Sequence, residues 1–495
     1  MSFRWGICGG LVLSFMIGYS QSFLMRVSSE GRSFTAAPVW SEPFWPVVGN
    51  RYLALCDPVP LNNNNDCRPP SALKAILAEI DTQSNQVVWA VGIPKSVRRG
   101  HFLYRLSDGS VLLASVDWNS GKRYAMRIRP ETAQVIWAYE FGMSTCASVD
   151  CPSVFVPPSY LLLFGIQGDN LFTPSPTAVV INVENGTIER VFKLLLVDPN
   201  ERPFGSSLSA ALALTHQAIE YDPYDDAIVL LFLAALNVDP IGMLTFIDWL
   251  NPKPVFDNAN NIGIVKFKLD GTILWAKVLD SGAEDRYVGT IAVDEGRYYI
   301  SNRLLDFSLW DNNQYAPLVT SLTLLSSDGE RLWSKAIGHI GAIYDQSGPM
   351  LRDIDGGWLV TGYGNDNLIF GTKFDNDFVD ALFNIRLSLD GTRSAFWAAT
   401  DSSYVTSFSI RNNQTNQYNL PILVHLPRNL QGGDCWHHSQ VRIEPLETMR
   451  DAWIQPQVIS PISLEVIPLQ ISLIPVTAYL ETVSNCSSSH SFSCP

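Results

Sequence analysis

Apolar residues in this chain recur with a two-residue period over short runs, and the runs come in pairs joined by tight polar turns. In IVKFKLDGTILWAKVL, Val265, Phe267 and Leu269 fall on one face, Asp270-Gly271 supplies the turn, and Trp275 sits on the returning run. Such alternation predicts β-strands, and Asp-Gly or Asn-Gly supplies the positive φ angles of a tight hairpin. Six copies align on the turn: Ser84-Asn85, Thr132-Ala133, Asn185-Gly186, Asp270-Gly271, Asp328-Gly329 and Asp390-Gly391. A fixed position on the returning run carries Trp89, Trp137, Trp275 and Trp333. The third copy has Arg190 there, and in the sixth the aromatics shift to Phe396 and Trp397.

A second phrase, a turn followed by an apolar run, precedes the hairpin: SDGSVLLAS, PSYLLLFG, DDAIVLLFLA, EGRYYISN and DGGWLVTGYG. Each copy therefore holds at least three strands, and the segment linking copies can supply a fourth. Trp89 and Trp137 are 48 residues apart, Trp275 and Trp333 58 apart, close to the roughly 40 to 50 residues of a four-stranded propeller blade. The expected fold is all-β: a β-propeller of four-stranded blades, seven in number if Ser403 to Leu426 holds a degenerate last copy, with six or eight also open. A Trp at a fixed place on each returning strand would pack between adjacent sheets.

The fourth and fifth copies resemble the blades of quinoprotein-type (PQQ-like) propellers, whose repeat ends in a Thr/Asp-Gly turn followed by Trp. The run DGGWLVTGYG with FNIRLSLDGT resembles secreted bacterial propeller or surface proteins of undefined activity. The resemblance covers about residues 50 to 400. It implies the fold and carries over Trp89, Trp137, Trp275 and Trp333 as blade-docking residues. Quinoprotein dehydrogenases hold their cofactor with adjacent cysteines, a stacking Trp and a carboxylate near calcium. This chain has no adjacent cysteine pair, so no cofactor site is carried over.

The ends change the picture of the compartment. Arg4 followed by the uncharged run Trp5 to Tyr19 and the small residues Ser20 and Ser22 predicts a signal peptide over residues 1–22, the run being shorter than the roughly 20 residues of a membrane span. The mature chain is expected to be secreted, periplasmic or on the cell surface, without a membrane span. The propeller is expected over 40–442, proline-rich closing strands or a small appendage over 443–483, and a Ser/Cys tail over 484–495. The formal net charge is −14; loss of Arg4 with the signal takes −14 to −15. That balance argues against nucleic-acid binding, which needs basic patches. Export makes disulfides available, and the short-range candidates are Cys56 with Cys67, Cys146 with Cys151, and Cys486 with Cys494, leaving Cys435 over. Sequons stand at Asn185, Asn413 and Asn485.

No nucleophile elbow, phosphate loop, dinucleotide fingerprint or zinc-protease motif occurs, so no catalytic, cofactor or metal site is read from motifs. Cys435, His437 and His438 read first as a polar loop, and Asp375, Asp377 and Asp380 as an inter-strand turn with calcium as the lesser alternative. Trp118, Trp310, Trp358, Tyr363 and Trp436 lie outside the repeat position, where an exposed aromatic could stack on a sugar or anchor a protein. The preferred expectation is a monomeric extracellular binding or scaffold module for a protein or carbohydrate, with no catalytic mechanism. The alternative is an enzyme working in the axial funnel, either a quinoprotein-like oxidoreductase or a carbohydrate-active enzyme.

Overall fold

A hairpin turn needs a left-handed residue, and five of the six aligned turns have one where the sequence places it. Asn85, Ala133, Gly186, Gly271 and Gly329 take φ of 53°, 49°, 76°, 89° and 80°. In the computed structural model the described residues are 23–29, 32–36, 47–58, 74–95, 102–117, 120–144, 152–167, 175–195, 218–234, 261–279, 285–305, 318–339, 345–353, 355–364, 369–378, 381–387, 391–412, 417–428, 436–438, 441–446 and 451–485. Among them the only helix is the 3-10 turn Pro130–Thr132, and no helix is long and apolar enough to cross a membrane.

The strands follow one another as antiparallel meanders of four. Among the described residues there are seven such units: 47–93, 102–144, 153–195, 219–279, 285–339, 345–387, and 391–427 completed by the N-terminal strand Phe23–Ser29. The second strand of a unit is apolar on both faces, as in Val111–Val116, where all six residues are buried, because each sheet is covered on both sides by its neighbours. Cores lie between units. Leu162, Phe164, Val180 and Phe192 of unit three pack with Leu230, Phe232, Val265 and Phe267 of unit four. First strands of successive units touch one another, so they form the inner side of the assembly.

The sixth aligned hairpin is not a hairpin. Ala381–Leu387 is the last strand of unit six and Gly391–Ala399 the first of unit seven, in a different sheet. The third-to-fourth-strand turn of unit six is the acidic run, with Phe378 at φ 52°. The fixed position on the fourth strand therefore belongs to Phe383, not Phe396 or Trp397, because it is Phe383 that stands opposite Lys373 as Trp275 stands opposite Lys266. A Phe in place of Trp, and a non-Gly turn, hid the true copy.

Both chain ends complete the assembly. Phe23–Ser29 pairs with Gln417–Pro427, so unit seven takes its fourth strand from the opposite end of the chain. The last forty-four residues described form a belt. Trp436–His438 adds a fifth strand to unit six, Val441–Pro445 to five, Ala452–Trp453 to four, Gln457–Ile459 to three, Val466–Pro468 to two and Ile474–Pro475 to one. Tyr479–Asn485 then lies along Phe23–Ser29. Each belt strand is short, and Pro445, Pro468 and Pro475 lie in it, where a missing N–H ends sheet growth.

The seam between units seven and one is polar. The His425 ring is held between the Tyr52 hydroxyl at Nε2, 3.0 Å, and the Asn85 amide oxygen at Nδ1, 2.9 Å. That oxygen only accepts, so Nδ1 carries the proton and Nε2 accepts from Tyr52. Burial pushes the His425 pKa down from 6.5 to about 4. The unfolded chain takes up this proton near pH 6.5 and the folded chain only near 4. The contribution to stability is therefore whole above about pH 6.5 and lost as pH falls towards 4, a total of about 3 kcal/mol. Urea midpoints at pH 7 and pH 4 should differ less in His425→Gln than in the parent chain. Equal pH slopes in the two proteins would rule this out.

Candidate functional site

The residue opposite the fixed fourth-strand position, on the third strand, forms a row through the units: Glu79, Arg127, Val180, Lys266, Leu324, Lys373 and His425. Five are ionisable and all five are buried. Each charge is answered across a seam or by the turn after the first strand. Lys266 lies 3.2 Å from Asp222, which also accepts from Tyr298 of unit five at 2.6 Å. Lys373 and Arg428 each lie 2.5 Å from Asp353, and Tyr404 of unit seven donates to the same carboxylate at 2.8 Å. Arg127 binds Asp108 at 2.9 Å and the Val183 carbonyl at 2.9 Å, and Arg105 of unit two meets Glu79. Burial works to raise the Asp353 pKa, but the bonds from Lys373, Arg428 and Tyr404 win and hold it low. Satisfied to this degree, these ions orient sheets and have little left to offer a ligand.

Trp89, Trp137, Trp275 and Trp333 face the same seams. Trp137 donates from Nε1 to the Val183 carbonyl at 2.8 Å and Trp275 to that of Ser327 at 3.0 Å, each in the next unit. Gly186 and Gly329 sit against those two indoles, where a Cβ would lie 2.8 and 3.1 Å from ring atoms. Trp333 packs on Phe378 of unit six with ring centroids 5.8 Å apart, and Trp89 packs in a cluster with Ala133 of unit two. Arg190, which breaks the motif, reaches the Asp270 carbonyl of unit four, so it makes the same inter-unit bond with a different donor.

Among the described residues, two places set exposed aromatic side chains beside charged ones. The first is an open cleft of about 540 Å³ on the outer rim, between units four and five under the belt. The belt positions Trp453 there: Ile454 N–H bonds the Ala276 carbonyl at 3.1 Å, and Leu446 N–H bonds that of Ser334 at 2.9 Å. Trp453 is 52% exposed. The Lys277 ammonium stands 4.6 Å from its ring centroid, and Trp275 meets it edge-on at 6.3 Å. Lys277 is also 3.5 Å from Asp451 and 3.6 Å from Glu330, and Arg331 pairs with Asp451. The exposed Leu332 completes the wall.

The second lies on the first strands of units two to four. Tyr104 is 37% exposed and stacks on Phe155 with centroids 4.4 Å apart. Glu220, on the first strand of unit four, is open to solvent yet hemmed in by protein, and that desolvation raises its pKa to about 7. Desolvation also raises the Tyr104 hydroxyl, with a further push from the Glu220 charge.

The other sequence candidates fall elsewhere. Trp358 is fully buried, 4.5 Å centroid to centroid from Tyr299, so it is core and not a ligand contact. Asp375 and Asp377 lie at the unit-six turn; Asp380 lies outside the described residues, as do Trp118, Trp310, Cys435, Cys67, Cys146, Cys151, Cys486 and Cys494. Cys56, Tyr363, Trp436, His437 and His438 are placed on strands by their backbone alone. Among the described residues no three His, Cys, Asp or Glu side chains group as metal ligands would. Sequence reasoning missed Trp453, Tyr104, Phe155 and Glu220. The first sits among prolines that mask its strand, and the others lie on short first strands with no repeated phrase.

No family model matches the chain, and no curated protein does. Solved structures do. A puromycin hydrolase mutant is 12% identical over 85% of this chain at a TM-score of 0.46, and the chain spans 54% of its length. The Dos1 propeller is 9% identical over 82% of this chain and 94% of its own, TM-score 0.40. A europium-containing methanol dehydrogenase is 10% identical over 78% of this chain and 85% of its own, TM-score 0.36. Successive four-stranded antiparallel units, faces packed against neighbours and first strands inward, make this chain an all-β protein of the β-propeller fold.

Proposed function

We propose that this chain is an exported seven-bladed propeller of PQQ-like repeat type that works as a binding module, and that the rim cleft at Trp453 takes a carbohydrate. The observation that carries the reading is an exposed indole, fixed by the belt, beside a cleft of about 540 Å³ edged by Lys277, Glu330, Arg331 and Asp451. An indole offers a flat apolar surface for the C–H face of a sugar ring. The surrounding acceptors and donors match hydroxyl groups, and the volume is within the roughly 300 to 1,000 Å³ of small-molecule sites. In this reading the signal ends before Phe23, the first residue of the closing strand, so export leaves unit seven complete.

The test is a glycan array with the chain from residue 23, followed by titration calorimetry on any hit. Trp453→Ala should weaken binding at least tenfold, with circular dichroism confirming that the variant is folded, since half of the side chain is in solvent. Glycan binding that survives Trp453→Ala, or an array with no hit alongside a captured protein ligand, would move the site away from this cleft.

A further inference from the structure

The rim cleft is edged by two cations and two anions, but it does not present them equally to solvent. Lys277 and Arg331 expose 4% and 8% of their side chains and Asp451 16%, whereas Glu330 exposes 65%. The Lys277 ammonium is answered by the Gly329 carbonyl at 3.1 Å, Asp451 at 3.5 Å, Glu330 at 3.6 Å and the Trp453 ring at 4.6 Å. Arg331 directs Nε to Asp451 at 3.2 Å and Nη1 to the Ser334 hydroxyl at 3.1 Å, and its Nη2 pairs with Asp451 as well. An incoming molecule therefore meets the exposed indole of Trp453, the exposed Leu332 and the Glu330 carboxylate.

Resting on the carbohydrate reading above, we infer that the cleft selects neutral glycans and rejects those built of uronic acids. A neutral sugar ring lays its C–H face on the indole and donates hydroxyl hydrogens to Glu330, whose carboxylate oxygens only accept. A uronate requires a cation with donors to spare, and both cations of the cleft are spent on protein acceptors and buried. Its own carboxylate would also stand beside Glu330, and two like charges at contact range repel. The net charge of −14 adds a repulsion that a polyanion feels before it reaches the cleft. Discrimination of this kind works against the wrong ligand without tightening the right one, and it assigns Glu330 a part in specificity that the indole cannot supply.

The experiment is a glycan array in which each neutral polymer is printed beside the uronate of the same ring: glucan with glucuronan, galactan with galacturonan, mannan with mannuronan. Calorimetry on the full chain follows, with oligosaccharides of the pair that binds. The neutral member is expected to bind about tenfold tighter or more. In Glu330→Gln that ratio should fall to within about threefold, in Glu330→Lys it should invert, and in the parent chain it should shrink at high salt as the charges are screened. Circular dichroism confirms that both variants are folded, and Glu330→Gln decides alone where Glu330→Lys is not. Uronates bound as tightly as their neutral counterparts, or a preference that survives the Glu330 substitutions, would overturn the selectivity while leaving the carbohydrate site standing, provided Trp453→Ala still removes the binding. No glycan bound at all would overturn the carbohydrate reading and the selectivity with it.

Discussion

A chain ending at residue 435 should assemble into aggregates under conditions in which the full chain stays dispersed. The belt covers the outer strand of six units and lies along the closing strand of the seventh. Without it each fourth strand presents a row of unpaired N–H and C=O groups, which is a template for pairing with another chain. The belt itself does not pass the problem outwards, because its strands are two to seven residues long and Pro445, Pro468 and Pro475 interrupt their donors. The truncated chain also loses the inter-unit supports Asp451, which pairs with Arg331, and Val458, which packs against Gly271. Light scattering after size-exclusion chromatography is the measurement. A truncated chain with the same mass distribution as the full one would show that the outer edges need no cover.

Asp353→Ala should be the most damaging single substitution, costing about 3 to 5 kcal/mol. The carboxylate is fully buried and receives Lys373, Arg428 and Tyr404 at 2.5, 2.5 and 2.8 Å. Removing it leaves the buried Lys373 without the carboxylate it pairs with and takes one partner each from Arg428 and Tyr404, so contacts are lost on both sides of the seam between units six and seven. The cost of an uncompensated charge exceeds what the pair contributed. Urea unfolding checks the loss, and the double variant Asp353→Ala with Lys373→Met should recover part of it. A loss under 1 kcal/mol would mean that Arg428 and Asp355, which also pair, suffice alone.

The architecture was legible in the sequence to the extent that its causes are local. Turn chemistry showed five hairpins: Asn85, Ala133, Gly186, Gly271 and Gly329 take the positive φ their positions require. The sixth failed because Phe378 and Phe383 replaced the expected Gly and Trp, while Asp390-Gly391 offered a false turn between two units. Buried charges were misleading for a different reason. In IVKFK, Lys266 reads as a solvent position by alternation, yet in a sheet covered on both faces the polar side looks into the seam with unit five, where Asp222 of its own unit and the Ser327 carbonyl of unit five receive it.

What the sequence determined by itself was an all-β chain of repeated meanders with a fixed inter-sheet Trp, because strand period and turn φ are set by residues within a few positions of each other. Only the tertiary structure decided how the ring is joined and what it leaves open. Tyr52 and His425 are 373 positions apart, the belt visits the units in reverse order, and Trp453 and Glu220 acquire their settings from neighbours on other units. Such partners are chosen by the closure of the whole chain, and no local pattern encodes a contact whose two halves are distant along the sequence.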